Sequence, residues 1–170
     1  ILAAGYATRL YPLTLNTPKP LLKVGDKPMV EHIIDKLEHT SIKKIHIVTN
    51  NKFYGHFKNW LSTFKSEKKI DVINDNTTSN EDRLGAFGDV NFTIKQEKIE
   101  NDVMVIAGDN LFELSISDVI DFFQKKKTSV IVAYDVKDFE LAKQYGIVGI
   151  KDNVVTDFQE KPQNPKSTLA

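Results

Sequence analysis

The chain has 170 residues, enough for one sizeable core, and 23 basic against 23 acidic side chains leave it with no net charge. That balance removes any global electrostatic case for nucleic acid or an anionic membrane. With no cysteine, disulfides, thiolate nucleophiles and cysteine-based zinc sites are excluded.

No apolar run approaches the ~18 residues of a membrane helix, and no secretory pattern opens the chain. The Asn76 and Asn91 sequons are therefore read as chance, and a cytoplasmic location is expected. The opening Ile1-Leu2-Ala3-Ala4 and the closing Ser167–Ala170 both read as cut ends, so 1–170 is expected to be a single domain truncated on both sides.

In chain order, Ile1–Ala4 reads as the end of a strand, followed by a long loop from Gly5 to Lys27. Pro28 suits a first helical turn, and Val30, Ile33, Ile34 and Leu37 then recur at helical spacing. Ile45–Thr49 is a β-branched run expected to be a buried strand. Phe53, Phe57, Trp60, Leu61 and Phe64 form the face of a second helix, read as core rather than as a ligand platform. A strand is expected over Ile70–Asn74, a polar loop over Asn76–Asp82 and a weaker helix over Leu84–Ile99. Val103–Ala107 reads as the clearest strand, ending at Gly108-Asp109-Asn110. Ser117 is expected to cap a helix that closes on Lys125-Lys126-Lys127, cations suited to a helix C-terminus. Ser129–Tyr134, Ile147–Ile150 and Val154–Glu160 complete the strands. The alternation predicts an α/β sheet, parallel in the main, with helices on both faces and ligands beyond the strands' C-terminal ends.

Three places fall at that edge. In the first loop, Gly5 lets the backbone approach an anion, and Arg9, Lys19, Lys23 and Lys27 add positive charge. Neither the phosphate loop G-x-x-x-x-G-K-[ST] nor the dinucleotide fingerprint G-x-G-x-x-G is present. Asp109 follows the central strand, where an oxygen ligand suits Mg²⁺, although Gly-Asp-Asn is also good turn chemistry. Glu160-Lys161-Pro162 ends the last strand. The histidines His32, His39, His46 and His56 have no metal-ligand spacing, and no serine sits in G-x-S-x-G.

The run Leu2-Ala3-Ala4-Gly5-Tyr6-Ala7-Thr8-Arg9-Leu10-Tyr11-Pro12-Leu13-Thr14, with Pro18-Lys19-Pro20-Leu21-Leu22 and Lys27-Pro28-Met29, resembles the signature loop of the sugar-phosphate nucleotidyltransferase family. Gly108-Asp109-Asn110, Tyr145-Gly146-Ile147-Val148 and Glu160-Lys161-Pro162 resemble further family segments, so the likeness covers nearly the whole chain. Ala7 departs from the pattern, standing where the family usually has its second glycine.

The resemblance implies a Rossmann-like, mixed but mainly parallel sheet of the nucleotide-diphospho-sugar transferase type. It also implies transfer of a nucleoside monophosphate from an NTP to a sugar 1-phosphate. Leu2, Ala3, Ala4, Gly5 and Thr8 would then wrap the nucleotide, and Arg9 and Lys19 would hold its phosphates. Asp109 would ligate Mg²⁺, with a second carboxylate from beyond Ala170. Tyr145, Gly146 and Glu160 would contact the sugar, and Lys161 its phosphate. Leu84 and Gly85 are candidates for the base pocket; Arg83 stands where one alignment would put the family glycine, and the base stays open among uridine, thymidine, cytidine and guanosine. Many relatives form dimers or tetramers, so a homo-oligomer is compatible with the resemblance. Two alternatives remain: a cytidylyltransferase acting on a phosphorylated alcohol such as phosphocholine, and a catalytically silent regulatory domain.

Overall fold

The computed structural model describes residues 1–170 as two compact units, 1–117 and 118–170. No helix is long and apolar enough to cross a membrane. The architecture is mixed α/β, and each unit carries its own sheet.

In the first unit the predicted long loop is partly ordered. It holds single turns at Thr8–Leu10 and Lys19–Leu21, then a small hairpin of β1 (Lys23–Val24) and β2 (Lys27–Pro28) turning at Gly25, whose φ is 69°. Pro28 lies just before α1 (Met29–Glu38) rather than inside it. Helix α1 buries Val30, Ile33, Ile34 and Leu37, the four residues of the predicted stripe.

Strand β3 (Lys44–Thr49) leads through Asn50 into α2 (Asn51–Thr63) and then β4 (Lys69–Asn74). Asn50 caps α2, its side-chain oxygen accepting the Phe53 N–H at 3.0 Å. Phe53 and Phe57 are fully buried, while Trp60 donates to Glu31 of α1 at 2.7 Å and stacks on Phe64. Strands β3 and β4 pair in parallel from Lys44↔Lys69 to Thr49↔Asn74.

Leu2 extends this sheet, bridging Val48 on one side and Ala107 on the other, both in parallel. The order is therefore β4, β3, the first residues, and 106–108. The Val103–Ala107 strand expected from sequence makes a ladder bridge only at Ala107, and Val103 and Val105 are about half exposed. A β-branched run favours extended backbone, but a ladder also needs a partner along its length. Helix α3 (Gly85–Glu97) follows the expected polar loop and turns Asp89 and Thr93 inward.

Helix α4 (Ile116–Lys126) starts one residue before Ser117, so Ser117 lies in its first turn and not at the cap. The lysines end it as expected, Lys127 being left-handed and donating to Phe123 O at 2.9 Å. The expected strand at Ser129–Tyr134 forms no run of its own. Only its end is paired, where Tyr134 and Ala170 exchange backbone bonds and Asp135 bridges Leu169. A short helix not foreseen from sequence, α5 (Phe139–Ala142), is capped by Asp138, whose carboxylate accepts the Glu140 and Leu141 N–H groups. Then β5 (Gly146–Lys151) and β6 (Val154–Glu160) form an antiparallel hairpin. Asp152 and Asn153 in its turn both have positive φ, the backbone that matches the strands' twist.

Candidate active site

The first three residues run through the middle of a parallel sheet, so the chain must leave at the C-terminal edge. Ala3 and Ala4 are buried there, and polar side chains anchor their carbonyls: Thr49 donates to Ala3 O at 3.2 Å and Asn50 to Ala4 O at 2.8 Å. Gly5 is the first exposed residue, with open space where a Cβ would stand, so its backbone is accessible to a ligand. Tyr6 turns back into the core beside Phe53, their rings 6.3 Å apart.

Ala7 then adopts φ 47°, ψ 41°, the left-handed conformation that suits glycine. Its carbonyl is held by the fully buried Thr14 hydroxyl at 2.8 Å, which fixes the loop around it. The strain costs an alanine about 1–2 kcal/mol, partly offset because glycine is freer when unfolded. Ala7→Gly is therefore expected to raise stability by about 0.5–1 kcal/mol; a urea midpoint that stays put or falls would refute this.

Beyond the turn, Thr8 and Arg9 are exposed. Lys19 lies between the buried Pro18 and Pro20, which point it back across the sheet edge. There its ammonium meets Asp109 Oδ2 at 2.8 Å, with both side chains partly exposed. Gly108 makes this approach feasible: a Cβ on it would stand 2.8 Å from Leu2 O and 3.3 Å from Pro20. Leu2, Ala3, Ala4, Gly5, Thr8, Arg9, Lys19 and Asp109 thus belong to one unit and, apart from Leu2 within the sheet, follow its strands' C-terminal ends. Leu84 and Gly85 stand at the start of α3, Leu84 as the exposed residue before the helix and Gly85 at φ 75°.

The second unit gathers the remaining predicted residues. Gly146 pairs with Glu160 across the hairpin, and a Cβ on Gly146 would meet Glu160 Oε2 and the Phe158 ring, each at 3.1 Å. Lys161, left-handed at φ 45°, donates its N–H to Tyr145 O at 3.0 Å, and its ammonium lies 3.7 Å from Glu160 Oε1. Tyr145, Glu160 and Lys161 are exposed around the half-buried Gly146, which brings together a ring, a carboxylate and a cation.

The donor chemistry at Asp109 fits a hard divalent ion: one carboxylate at an open edge, with room for water and phosphate oxygens to complete the shell. A second acidic group, unforeseen from sequence, brings ligand atoms of His46, Asp71 and Glu97 within 4.8 Å of one another. There Lys44 already supplies the cation, 2.8 Å from Asp71 and 3.2 Å from Glu97. Hydrogen bonding to these carboxylates holds the Lys44 pKa above its usual value. Burial, then the Lys44 charge, lowers that of His46. We therefore read this group as an ion-pair cluster joining α3 to the two strands.

A family model described as Nucleotidyl transferase matches residues 1–170. The chain is 32% identical over 170 residues to a protein named Bifunctional protein GlmU from Methanocaldococcus jannaschii, covering 99% of this chain and 37% of that protein. It is 27% identical to UTP--glucose-1-phosphate uridylyltransferase AglF of Haloferax volcanii, covering 99% and 67%. Among solved structures, a putative glucose-1-phosphate thymidylyltransferase from Bacillus anthracis superposes with TM-score 0.83 at 29% identity, covering 99% of this chain and 66% of that one. A UDP-glucose pyrophosphorylase complexed with UDP-glucose, at 21% identity and TM-score 0.77, shares the fold. The chain spans well under half the length of the curated relatives it matches first.

Proposed function

Since the chain belongs to the nucleotidyl transferase family, we propose that it moves a nucleoside monophosphate from an NTP to a sugar 1-phosphate, giving an NDP-sugar and pyrophosphate. The observation that carries this reading is the Lys19–Asp109 contact at 2.8 Å, which joins two signature segments ninety residues apart in sequence.

A phosphate oxygen of the sugar phosphate attacks the α-phosphorus, forming the new P–O bond. The bond to the bridging oxygen of the β-phosphate breaks, and pyrophosphate leaves with that electron pair. A phosphate is already ionised at neutral pH, so no general base is required. Catalysis then rests on positioning and on charge placed where charge develops. The backbone at Gly5, with Thr8 and Arg9, is assigned to the triphosphate, and Lys19 to its phosphate oxygens. Asp109 is the residue that would hold Mg²⁺, which when bound supplies charge neutralisation at the phosphates. In the second unit Lys161 is assigned to the sugar's phosphate, and Glu160, Tyr145 and the Gly146 backbone to the sugar. Leu84 and Gly85 are the base-pocket candidates. On this reading residues 1–170 are one catalytic domain of a cytoplasmic enzyme.

The test is pyrophosphate release by the full chain, over a matrix of NTPs and dNTPs against several sugar 1-phosphates and phosphocholine, with Mg²⁺. Release for one NTP and sugar 1-phosphate pair is expected. Release only with CTP and phosphocholine would replace the substrate class. Silence throughout, from a folded protein that still binds nucleotide, would overturn the enzymatic reading.

A further inference from the structure

The end of β4 and the inner face of α3 bury two carboxyl groups. Asp75 is 4% exposed and Asp89 6%. Asp75 Oδ1 accepts the Thr77 N–H and hydroxyl, each at 2.7 Å. Its Oδ2 and Asp89 Oδ1 are buried without a hydrogen-bond partner. Two buried carboxyls placed side by side resist joint ionisation, and one proton between them satisfies both orphan oxygens. Burial, then the charge and hydrogen bond of Asp75, pushes the Asp89 carboxyl up to about 7. Asp75 is the charged group acting on Asp89. From the signature loop, the neighbouring Tyr6 also has a buried hydroxyl without a partner. Burial above all, with the charges of Asp82, Asp75 and Glu81, raises the pKa of Tyr6.

The pair is wired to the start of the signature loop. Asp75 N–H donates to Thr49 O at 2.9 Å, and the Thr49 hydroxyl donates to Ala3 O. Thr77 O accepts the Asn51 N–H at 2.9 Å, and the adjacent Asn50 side chain holds Ala4 O. Asp75 thus adjoins both contacts that fix the chain entering Gly5, through its main-chain N–H at Thr49 and through Thr77, which its carboxylate holds.

We propose that Asp75 and Asp89 share one proton, and that the protonated pair is a positioning element for the nucleotide site, holding the end of β4 against α3 and so setting the start of the signature loop. The nucleotide part rests on the proposed function; the shared proton does not. Above neutrality the pair ionises, its two charges repel, and the loop loses its support. If only the protonated form binds well, apparent nucleotide affinity falls about tenfold per pH unit above the midpoint. The sign for stability agrees: the folded chain keeps a proton that the unfolded chain releases from the ordinary carboxylate range upward. The pair's contribution therefore declines as pH rises toward 7.

The test is carboxyl ¹³C NMR of the full chain, followed with the backbone amides of Gly5 and Tyr6 from pH 5 to 9. The Asp89 carboxyl is expected to titrate near neutrality, with both amides moving at the same midpoint. Asp89→Asn should remove that titration, and Asp75→Asn serves as a second route should the first variant fail to fold. In parallel, UTP and dTTP affinity should fall about tenfold between pH 7.5 and 8.5 in the parent chain and stay flat in Asp89→Asn. An Asp89 carboxyl already ionised at pH 5, loop amides indifferent to the midpoint, or a carboxyl signal that moves with added Mg²⁺ instead of protons would each overturn the proposal. Absence of nucleotide binding at every pH, with both titrations intact, would sink the proposed function and leave the shared proton and its hold on the loop standing.

Discussion

Asp109→Ala is expected to cut pyrophosphate release at least about a hundredfold while leaving the chain folded. Asp109 pairs with Lys19 at the surface, their side chains 41% and 30% exposed. A pair so open to water contributes at most about 1 kcal/mol to stability, so unfolding cannot account for a large loss of turnover. Charge placed at the reacting phosphates is a different matter, since removing one such contact commonly costs about 10²–10³ in rate. Lys19→Ala should fall in the same range. If both residues serve one phosphate cluster, the double variant should be little worse than either single one, because groups acting as a unit are not additive. The measurement is steady-state release with the active substrate pair, beside a thermal melt of each variant. More than a tenth of parent activity in Asp109→Ala would remove Asp109 from the site.

The second large effect is on stability. Phe53→Ala should cost about 3–5 kcal/mol, read from urea unfolding. Phe53 is fully buried at the start of α2, packs edge-on against His56 and lies 6.3 Å from the Tyr6 ring. Truncation leaves a cavity that the N-cap cannot close, since Asn50 still grips the backbone N–H. The cavity also opens beneath Tyr6, so weaker nucleotide binding should accompany the loss. A cost below about 1 kcal/mol would mean that the site collapses freely, contrary to the packing described.

Much of the fold was legible because the repeats are physical. Val30, Ile33, Ile34 and Leu37 mark one helix face, and Ile45–Thr49 has the branched side chains of a buried strand. The signature loop was legible as a motif, although only the structure reveals that Ala7 is left-handed. What escaped notice lacks a period. The two-residue strands β1 and β2 are too short to show alternation, and α5 is announced only by the cap at Asp138. Val103–Ala107 and Ser129–Tyr134 were overread, because propensity reports extended backbone and says nothing about a partner. The candidate residues Arg9, Lys19, Asp109, Glu160 and Lys161 could be named from motifs, but the meeting of Lys19 with Asp109 lies ninety residues beyond local reasoning. Asp75 and Asp89 were missed because an acid in an apolar stripe looks like a break in the pattern rather than a buried group.

Leu2 is bridged by a segment on each side, one more than forty residues later, bonded through Ile1 and Ala3, and one more than a hundred, bonded by Leu2 itself. Its central place in the sheet has a consequence for synthesis. The segment that will occupy the middle of the sheet is made before either neighbour and emerges with neither available. At about 5–20 residues per second, Lys19 waits roughly 5–18 s for Asp109 to be made. Through that interval the apolar segment before Gly5 and a loop bearing Arg9 and Lys19 are both exposed on the nascent polypeptide. Arg9 and Lys19 are thus made long before Asp109, and they find their place at the sheet edge only once the ribosome has passed Gly108.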